Sequence, residues 1–371
     1  MAAPAAAPAA PDWRRADEVA ADVTGQGGVL DRPECSAIVV SYNVAPQLAR
    51  CLHSITAEYE RSGTAGEIIV VDNASHDGSA AMVRAAFPHV YLIEAPRNEG
   101  FTAGCRQGMA VARGERLLFI NPDAELLPGA LAALLACLRD HPAAAVAVPM
   151  LVDGDARPQR SLRRFPRLAT LFVESTVVQW WWPGYPLLRG YYEEDRSHAL
   201  PRAVDWAEGA CWLVRRIPFT QMGGFDTRFF MYFEELDAAL RLHRAGWEMR
   251  YTPEAQVIHH GSQSADQNLL ARDFYFHQSK YQFVRKWWGT GAVVTLRGFI
   301  ALTVVVQLVE QALKWLLRGV SRPPVTVSAA RRHARCLAIL WPMLIWHVSG
   351  RSPLAPERDR PGATSVSTTR E

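Results

Sequence analysis

The fold is decided by one stretch of sequence, Leu117-Leu118-Phe119-Ile120-Asn121-Pro122-Asp123-Ala124-Glu125. Its apolar first half, bounded by Asn-Pro, is typical of a buried strand that ends abruptly. Open α/β sheets bind ligands beyond the carboxyl ends of their strands, so a carboxylate at Asp123 would face a ligand and could hold a divalent cation against a diphosphate. The alternative is a solvated turn, because Asn, Pro and Asp are common turn residues. Motifs at other strand ends favour the ligand site.

Apolar runs alternate with helical patterns through the first half of the chain. We predict strands at 37–40, 68–71, 90–93, 117–120 and 143–151, with helices between them, one of them over 126–138. Farther along, we predict a helix over 233–245 and two short strands, 249–251 and 256–258. Strands that alternate with helices of ten to fifteen residues predict right-handed βαβ units and a mostly parallel α/β sheet flanked by helices.

Composition limits the class of protein. The chain has 371 residues, 49% of them hydrophobic, which is enough for one large domain with additions. Its net charge is only +3, so we expect no nucleic-acid partner. We predict a disordered tail over 1–33, an α/β domain over 34–286, membrane-associated helices over 287–350 and a second disordered tail over 351–371.

The C-terminal part has a different character. Two apolar runs, 293–309 and 337–346, are flanked by Trp and Arg, and no acidic residue lies between Glu310 and Glu357. This pattern predicts amphipathic helices that lie in the membrane interface, with cations on phospholipid head groups. The alternative is a helical hairpin packed on the α/β domain. The run Trp180-Trp181-Trp182 fits either a packed loop or a loop that contacts membrane or substrate, because Trp favours boundaries between apolar and aqueous regions.

Besides Asp123, three groups of candidate site residues follow predicted strands or begin predicted helices. Asp72 ends the second strand, where a carboxylate can accept the imide N–H of a pyrimidine. Gly100, within Asn98-Glu99-Gly100-Phe101, allows backbone to approach a ligand at a helix N-terminus. Glu234, Glu235 and Asp237 follow an aromatic block that would bury a carboxylate and raise its pKa, as a general base requires. Their alternative role is simple capping of a helix.

Together these motifs resemble the family 2 glycosyltransferases, which have the GT-A, Rossmann-like fold. The resemblance rests on segments spread over about residues 35 to 265, and these are Val39-Val40-Ser41-Tyr42-Asn43, Val71-Asp72-Asn73-Ala74-Ser75, Asn98-Glu99-Gly100-Phe101, Asn121-Pro122-Asp123, Glu208-Gly209-Ala210, the Gly223-Gly224-Phe225-Asp226 block with Glu234-Glu235-Leu236-Asp237, and His259-His260-Gly261. Within the family, the sequence is similar to bacterial rhamnosyltransferases that extend cell-surface polysaccharides.

The resemblance implies a role for each candidate residue. Asp123 would bind Mg²⁺ or Mn²⁺, with Asn121 in place of the first acid of the family's metal motif, and His259 would be a second contact to the metal or diphosphate. Glu235 matches the position of the catalytic base, and Asp237 is the alternative. The nucleotide-sugar donor would contact Ser41, Tyr42, Asn43, Asp72, Asn98, Gly100 and Asn121.

The resemblance also implies a reaction. We expect an inverting, metal-dependent glycosyltransferase that moves a sugar, rhamnose first among the candidates, from a dTDP- or UDP-sugar to a saccharide acceptor. The basic, Trp-bearing C-terminal segment indicates that this acceptor is lipid-linked and that the protein acts at the cytoplasmic face of the inner membrane. One alternative is a catalytically silent nucleotide-binding scaffold. Another is a nucleotidyltransferase of related fold, which would want a Gly-rich, basic loop after the first strand, where this chain has Ser41-Tyr42-Asn43-Val44-Ala45.

Overall fold

The computed structural model describes residues 32–194, 196–261, 268–320 and 327–354, with backbone alone for 315–320 and 327–337. Internal contacts divide the chain into two units. The first contains the described parts of Met1–Thr170 and Gly184–Gln267, and the second those of Leu171–Pro183 and Asn268–Glu371. The predicted tails, 1–33 and 351–371, lie almost wholly outside the described residues.

The first unit is built on a sheet that has nine strands among the described residues, in the order β3-β2-β1-β4-β10-β6-β11-β5, with β8 beside β11. Its strands are β1 Cys35–Ser41, β2 Gly66–Asp72, β3 Tyr91–Glu94, β4 Arg116–Ile120, β5 Ala124–Leu126, β6 Ala144–Val152, β8 Arg202–Val204, β10 Cys211–Arg215 and β11 Glu248–His259. A separate ribbon pairs β7 Leu162–Arg163 with β9 Trp206–Ala207. Six of the nine strands point the same way, and β5, β8 and β10 oppose them. The predicted mostly parallel α/β fold is confirmed.

Helices connect and flank these strands. In chain order they are α1 Ala45–Ser62, α2 Ser79–Ala86, α3 Phe101–Val111, α4 Ala130–Asp140, α5 Leu168–Val173, α6 Val177–Trp181, α7 Pro186–Tyr191, α8 Arg216–Gln221, α9 Glu234–Arg244, α10 Leu269–Val320 and α11 Val327–Ser349. Each crossover helix turns an apolar stripe toward the sheet. In α1 the stripe Leu48, Cys51, Leu52 and Ile55 is fully buried, as its spacing predicts.

Two local predictions are wrong for the same physical reason. The predicted strands 249–251 and 256–258 are one continuous strand, β11, whose register against β6 shifts between Thr252 and Gln256. The predicted helix over 126–138 begins only at Ala130, because Ala124–Leu126 forms β5 and pairs with the end of β11. Both features depend on pairing between segments more than a hundred residues apart, which local apolar spacing does not encode.

The second unit is helical. Its longest helix, α10, contains a break at Gly289, whose φ of 83° and ψ of 177° are not helical, so two helices meet there. The predicted start of the C-terminal helices, residue 287, lies two residues from this break. Among the described residues, Leu269–Lys314 is the helix long and apolar enough to cross a membrane by length and composition, and Ala338–Ser349 is a shorter apolar helix. The predicted domain limits as a whole stay a prediction.

Candidate active site

The ends of β1 and β2 place two polar side chains together at one edge of the sheet. Ser41 and Asp72 are partners in the parallel register of these strands, and both side chains are buried. Asp72 Oδ2 accepts the N–H of Ser75 at 3.0 Å. Within the described residues, Asp72 Oδ1 and Ser41 Oγ are buried and have no hydrogen-bond partner. Buried polar atoms without partners cost free energy, so these two are suited to bind a ligand.

The loops after β1 and β2 are tied to each other. Asn43 adopts a left-handed conformation with φ of 53°, its N–H donates to Ser75 Oγ at 2.9 Å, and its Oδ1 accepts the N–H of His76 at 2.7 Å. The preceding residue, Tyr42, is partly exposed at this edge. Since side-chain bonds already hold Asn43, the pair of loops forms a fixed wall beside Asp72.

Gly100 joins this wall to the segment that precedes α9. Its φ is 90°, and a β-carbon there would overlap the carbonyl oxygen of Phe230. The same oxygen accepts the N–H of Phe101 at 2.8 Å. Asn98 Oδ1 accepts the Gly100 N–H, and Asn73 Nδ2 donates to the Gly100 carbonyl, each at 3.0 Å. A close approach to the Gly100 backbone does occur, but the group that approaches is Phe230 of this chain and not a ligand.

Asp123 and His259 meet at the same edge of the sheet. Antiparallel pairing of β5 with β11 sets His259 opposite Ala124, and His259 Nε2 lies 3.8 Å from Asp123 Oδ1. The N–H of His260 donates to the Asp123 carbonyl at 3.0 Å. Gln159 holds His259 from behind, since its Nε2 donates to the His259 carbonyl at 2.7 Å while its Oε1 lies 3.1 Å from His259 Nδ1. These two contacts fix the orientation of the ring, with Nε2 on the side of Asp123.

These two side chains suit a cation that the donor helps to bind. No group of three or more His, Cys, Asp or Glu that could hold a metal is found in the described part of the chain. Mg²⁺ usually takes only one or two protein ligands and completes its octahedron with water and substrate phosphates. One carboxylate and one imidazole therefore fit such an ion. The Asn121 N–H donates to the Ala210 carbonyl at 2.9 Å, which joins the end of β4 to the residue before β10.

The three acids of α9 lie in different surroundings. Glu234 is buried, and burial followed by the neighbouring Glu235 charge holds its pKa well above the usual range. Glu235 is partly exposed; desolvation raises its pKa to about 7, the charge of Glu208 acts in the same direction, and Arg163 opposes it. Asp237 is fully buried and accepts Arg241 Nε at 2.7 Å. A pKa near neutrality is what a general base needs.

Glu235 and Asp237 therefore differ in what they can do. Arg241, the partner of Asp237, also donates to the carbonyl oxygens of Met222 and Gly224, so this ion pair anchors α9 to the preceding turn. The Glu235 Oε2 atom is buried and lacks a hydrogen-bond partner within the described residues. These contacts favour Glu235 as the general base and Asp237 as a residue that holds α9 in place. Both assignments stay predictions.

A short path of contacts connects Glu235 to the metal side of the site. The Asn121 N–H donates to the Ala210 carbonyl. Gly209, which precedes Ala210, lies against Glu235, since a β-carbon on Gly209 would stand 3.5 Å from the β-carbon of Glu235. Asp72 lies two strands away from β4, a distance of about 10 Å at ordinary strand spacing. The predicted nucleotide, metal and base positions therefore share one edge of the sheet.

Several residues of the site were not predicted from the sequence. Gln159 and Arg163 come from the irregular middle of the chain, where no motif marks them. Asn73 and Glu208 lie within motifs of the family resemblance, but the sequence predicted no site role for either. Their signal is tertiary: each is recognised by the side chain that it holds or faces, which no local spacing shows.

Comparison with known proteins gives the family of this chain. Residues 36–223 match the model of glycosyl transferase family 2, so the chain belongs to this family and is a glycosyltransferase. N-acetylglucosaminyl-diphospho-decaprenol L-rhamnosyltransferase of Mycobacterium tuberculosis is 33% identical over 280 residues, which are 71% of this chain and 90% of the relative. The rhamnosyltransferase WbbL of Escherichia coli K12 is 24% identical over 260 residues, 67% of this chain and 92% of WbbL.

Solved structures align with this chain as well. The mannosyltransferase PcManGT of Pyrobaculum calidifontis, in complex with GDP-Man and Mn²⁺, aligns over 92% of this chain and 94% of its own, with 17% identity and a TM-score of 0.49. The predicted membership of family 2 and the similarity to rhamnosyltransferases are thus confirmed by the sequence comparisons.

The raised pKa of Glu234 makes a prediction about stability. The folded state holds this proton more tightly than the unfolded chain, so the stability it confers is present at low pH and is lost as pH rises above about 4.5. Glu234→Gln is neutral at every pH. We therefore expect its free energy of unfolding to increase relative to that of the wild type by at most about 1.4 kcal/mol for each pH unit across this range. Urea unfolding of both proteins between pH 5 and 8 measures the difference. The matched control is Glu248→Gln, on an exposed side chain, and identical pH dependence for Glu234→Gln and wild type would contradict the assignment.

Proposed function

We propose that this glycosyltransferase is inverting and metal-dependent, and that it moves rhamnose from dTDP-rhamnose to a lipid-linked saccharide in cell-surface polysaccharide synthesis. UDP-hexoses are the next candidates as donor. The observation that carries the proposal is a carboxyl group, Glu235, whose pKa of about 7 suits a base and which shares a sheet edge with Asp72 and Asp123. Two relatives are named rhamnosyltransferases, and the name of one states an N-acetylglucosaminyl-diphospho-decaprenol acceptor.

Donor binding would use the polar atoms that the fold leaves without partners. The Asp72 Oδ1 atom can accept the imide N–H of a thymine or uracil ring, and Ser41 Oγ lies beside it. Asn98 and Gly100 shape the adjoining backbone. Asp123 and His259 would hold Mg²⁺ or Mn²⁺, which, when bound, neutralises charge on the departing diphosphate.

Transfer would proceed as a single displacement. Ionised Glu235 removes the proton from an acceptor hydroxyl, and the hydroxyl oxygen forms a bond to the anomeric carbon from the face opposite the diphosphate. The bond between that carbon and the diphosphate oxygen breaks, and the nucleoside diphosphate leaves with the bonding electrons. One such displacement inverts the anomeric configuration, and positioning of the two substrates supplies much of the acceleration.

We propose that the protein acts at the cytoplasmic face of the inner membrane, and the apolar surface of the second unit supports contact with a membrane. The exposed large apolar side chains of this unit include three adjacent tryptophans, Trp180, Trp181 and Trp182, each more than half exposed, and further residues at Val294, Leu302, Val309, Leu313, Trp341, Ile345 and Val348. Monomeric soluble proteins rarely expose large apolar patches, and such patches mark interaction sites. Since Trp favours the lipid head-group region, we propose that the tryptophans anchor this unit in the membrane interface.

Replacement of the base tests the chemistry. We expect Glu235→Gln to lower the rate of sugar transfer by about 100-fold or more, because a neutral amide cannot take the proton, while donor binding stays within a factor of two or so. Nucleoside-diphosphate release and calorimetric titration with dTDP measure the two quantities. The control is Glu248→Gln, an exposed side chain on β11. Normal turnover by Glu235→Gln would remove this residue from its role.

Metal dependence has its own test. In excess chelator we expect transfer to stop and to return with Mg²⁺ or Mn²⁺, and Asp123→Asn should weaken Mn²⁺ binding about tenfold or more in the presence of dTDP. Calorimetry with Mn²⁺ measures the binding without turnover. Asp140→Asn, at an exposed position, is the matched control. Full activity in chelator would contradict the proposed cation site.

The membrane proposal is tested on the aromatic run. Changing Trp180, Trp181 and Trp182 to Ser should reduce the fraction of protein that floats with phosphatidylglycerol vesicles several-fold, because three interfacial anchors are removed. Tyr91→Ser in the first unit, which also removes an exposed aromatic ring, should leave flotation unchanged. Equal flotation of the triple variant and the wild type would show that the tryptophans do not anchor the chain.

A further inference from the structure

An ion pair between Arg163 and Glu208 immediately precedes the glycine that contacts the proposed base. Arg163 Nη2 is 2.5 Å from Glu208 Oε1, and the Arg163 side chain is only 14% exposed. The guanidinium carbon lies 5.2 Å from the ring centre of Tyr192 and 5.3 Å from that of Trp206. Stacking of this kind holds an arginine in one orientation and stabilises its charge. Arg163 is therefore a fixed cation.

The backbone around Glu208 is held just as firmly. The ribbon of β7 and β9 sets Arg163 opposite Trp206, and the N–H of Glu208 donates to the Ser161 carbonyl at 2.9 Å. On its other side, the Glu208 carbonyl accepts the indole N–H of Trp212, a fully buried side chain, at 3.2 Å. The Glu208 backbone therefore cannot move without breaking these bonds.

The next residue brings this pair against the base. A β-carbon on Gly209 would lie within 4 Å of three side-chain carbons of Glu235, so the backbone that follows Glu208 contacts the catalytic candidate directly. The charged groups that act on Glu235 are Glu208, Arg163 and its chain neighbour Glu234. Since Glu234 is buried and favours its neutral form, the two opposite charges of the pair are the ionised groups that face Glu235.

We propose that Arg163 and Glu208 are positioning residues that set the protonation of Glu235, with Glu208 favouring the protonated carboxyl and Arg163 favouring the carboxylate. The inference deepens the proposed function, because it concerns the same base. The two charges act on Glu235 in opposite directions when both are present. Removal of either one leaves the other uncompensated, so the two removals shift the protonation of Glu235 in opposite directions.

The experiment measures protonation of Glu235 without sugar transfer. A carbodiimide reacts with the protonated carboxyl, so the rate at which Glu235 is labelled, read by fragment mass spectrometry against pH, gives its midpoint, near pH 7 in the wild type. We expect Arg163→Gln to raise this midpoint and Glu208→Gln to lower it, each by about half a pH unit or more. Because the readout needs no turnover, it stays valid if the proposed rhamnosyl transfer fails.

Two further variants separate electrostatics from structure. Arg163→Lys keeps the positive charge and should stay within about 0.2 pH unit of the wild type, and Arg139→Gln, which removes an exposed cation elsewhere in the same unit, should cause no shift. Thermal unfolding identifies a variant that does not fold; if Arg163→Gln is lost in this way, the downward shift in Glu208→Gln decides. Midpoints that do not move, or that move in the same direction in both variants, overturn the proposal.

Discussion

The candidate site depends on the antiparallel pairing of β10 with β4. This strand runs against its neighbours in the middle of the sheet and sets Cys211 opposite Ile120, so the residues just before β10 meet those just after β4. The bond from the Asn121 N–H to the Ala210 carbonyl closes this junction. Without the reversed strand, Glu208 and Gly209 would begin at the far edge of the sheet, and the contact between Gly209 and Glu235 would be lost.

Burial then gives neighbouring acids of one helix different chemistry. Glu234 faces the interior and favours its neutral form, whereas Glu235 lies at the partly exposed edge with a pKa near neutrality. Asp237 is buried as deeply as Glu234, but Arg241 compensates its charge. Three carboxyl groups within four positions thus lie in different electrostatic surroundings, because each one contacts different groups.

Much of the fold was predictable, because the first half of the chain is locally consistent. The buried runs that become β1, β2 and β4 and the apolar stripe of α1 are set by apolar periodicity, and the structure agrees with them to within a few residues. Prediction failed at β5 and at the unbroken β11, since an edge pairing over more than a hundred residues leaves no periodic trace. The reversed strand β10 was not predicted at all, because a five-residue apolar run does not state which strands it will join.

The sequence by itself determined which residues could do chemistry: acids and small residues after apolar runs, at Asp72, Gly100 and Asp123, and an acidic start to a helix at Glu234 and Glu235. Tertiary structure alone decided the burial and the charged partners of these groups. It buried Glu234, paired Asp237 with Arg241, fixed the His259 ring through Gln159 and set the Arg163–Glu208 pair near Glu235. The reason is physical, since proton affinity and charge depend on distance through space and on exclusion of water, and neither quantity is written in the order of residues along a chain.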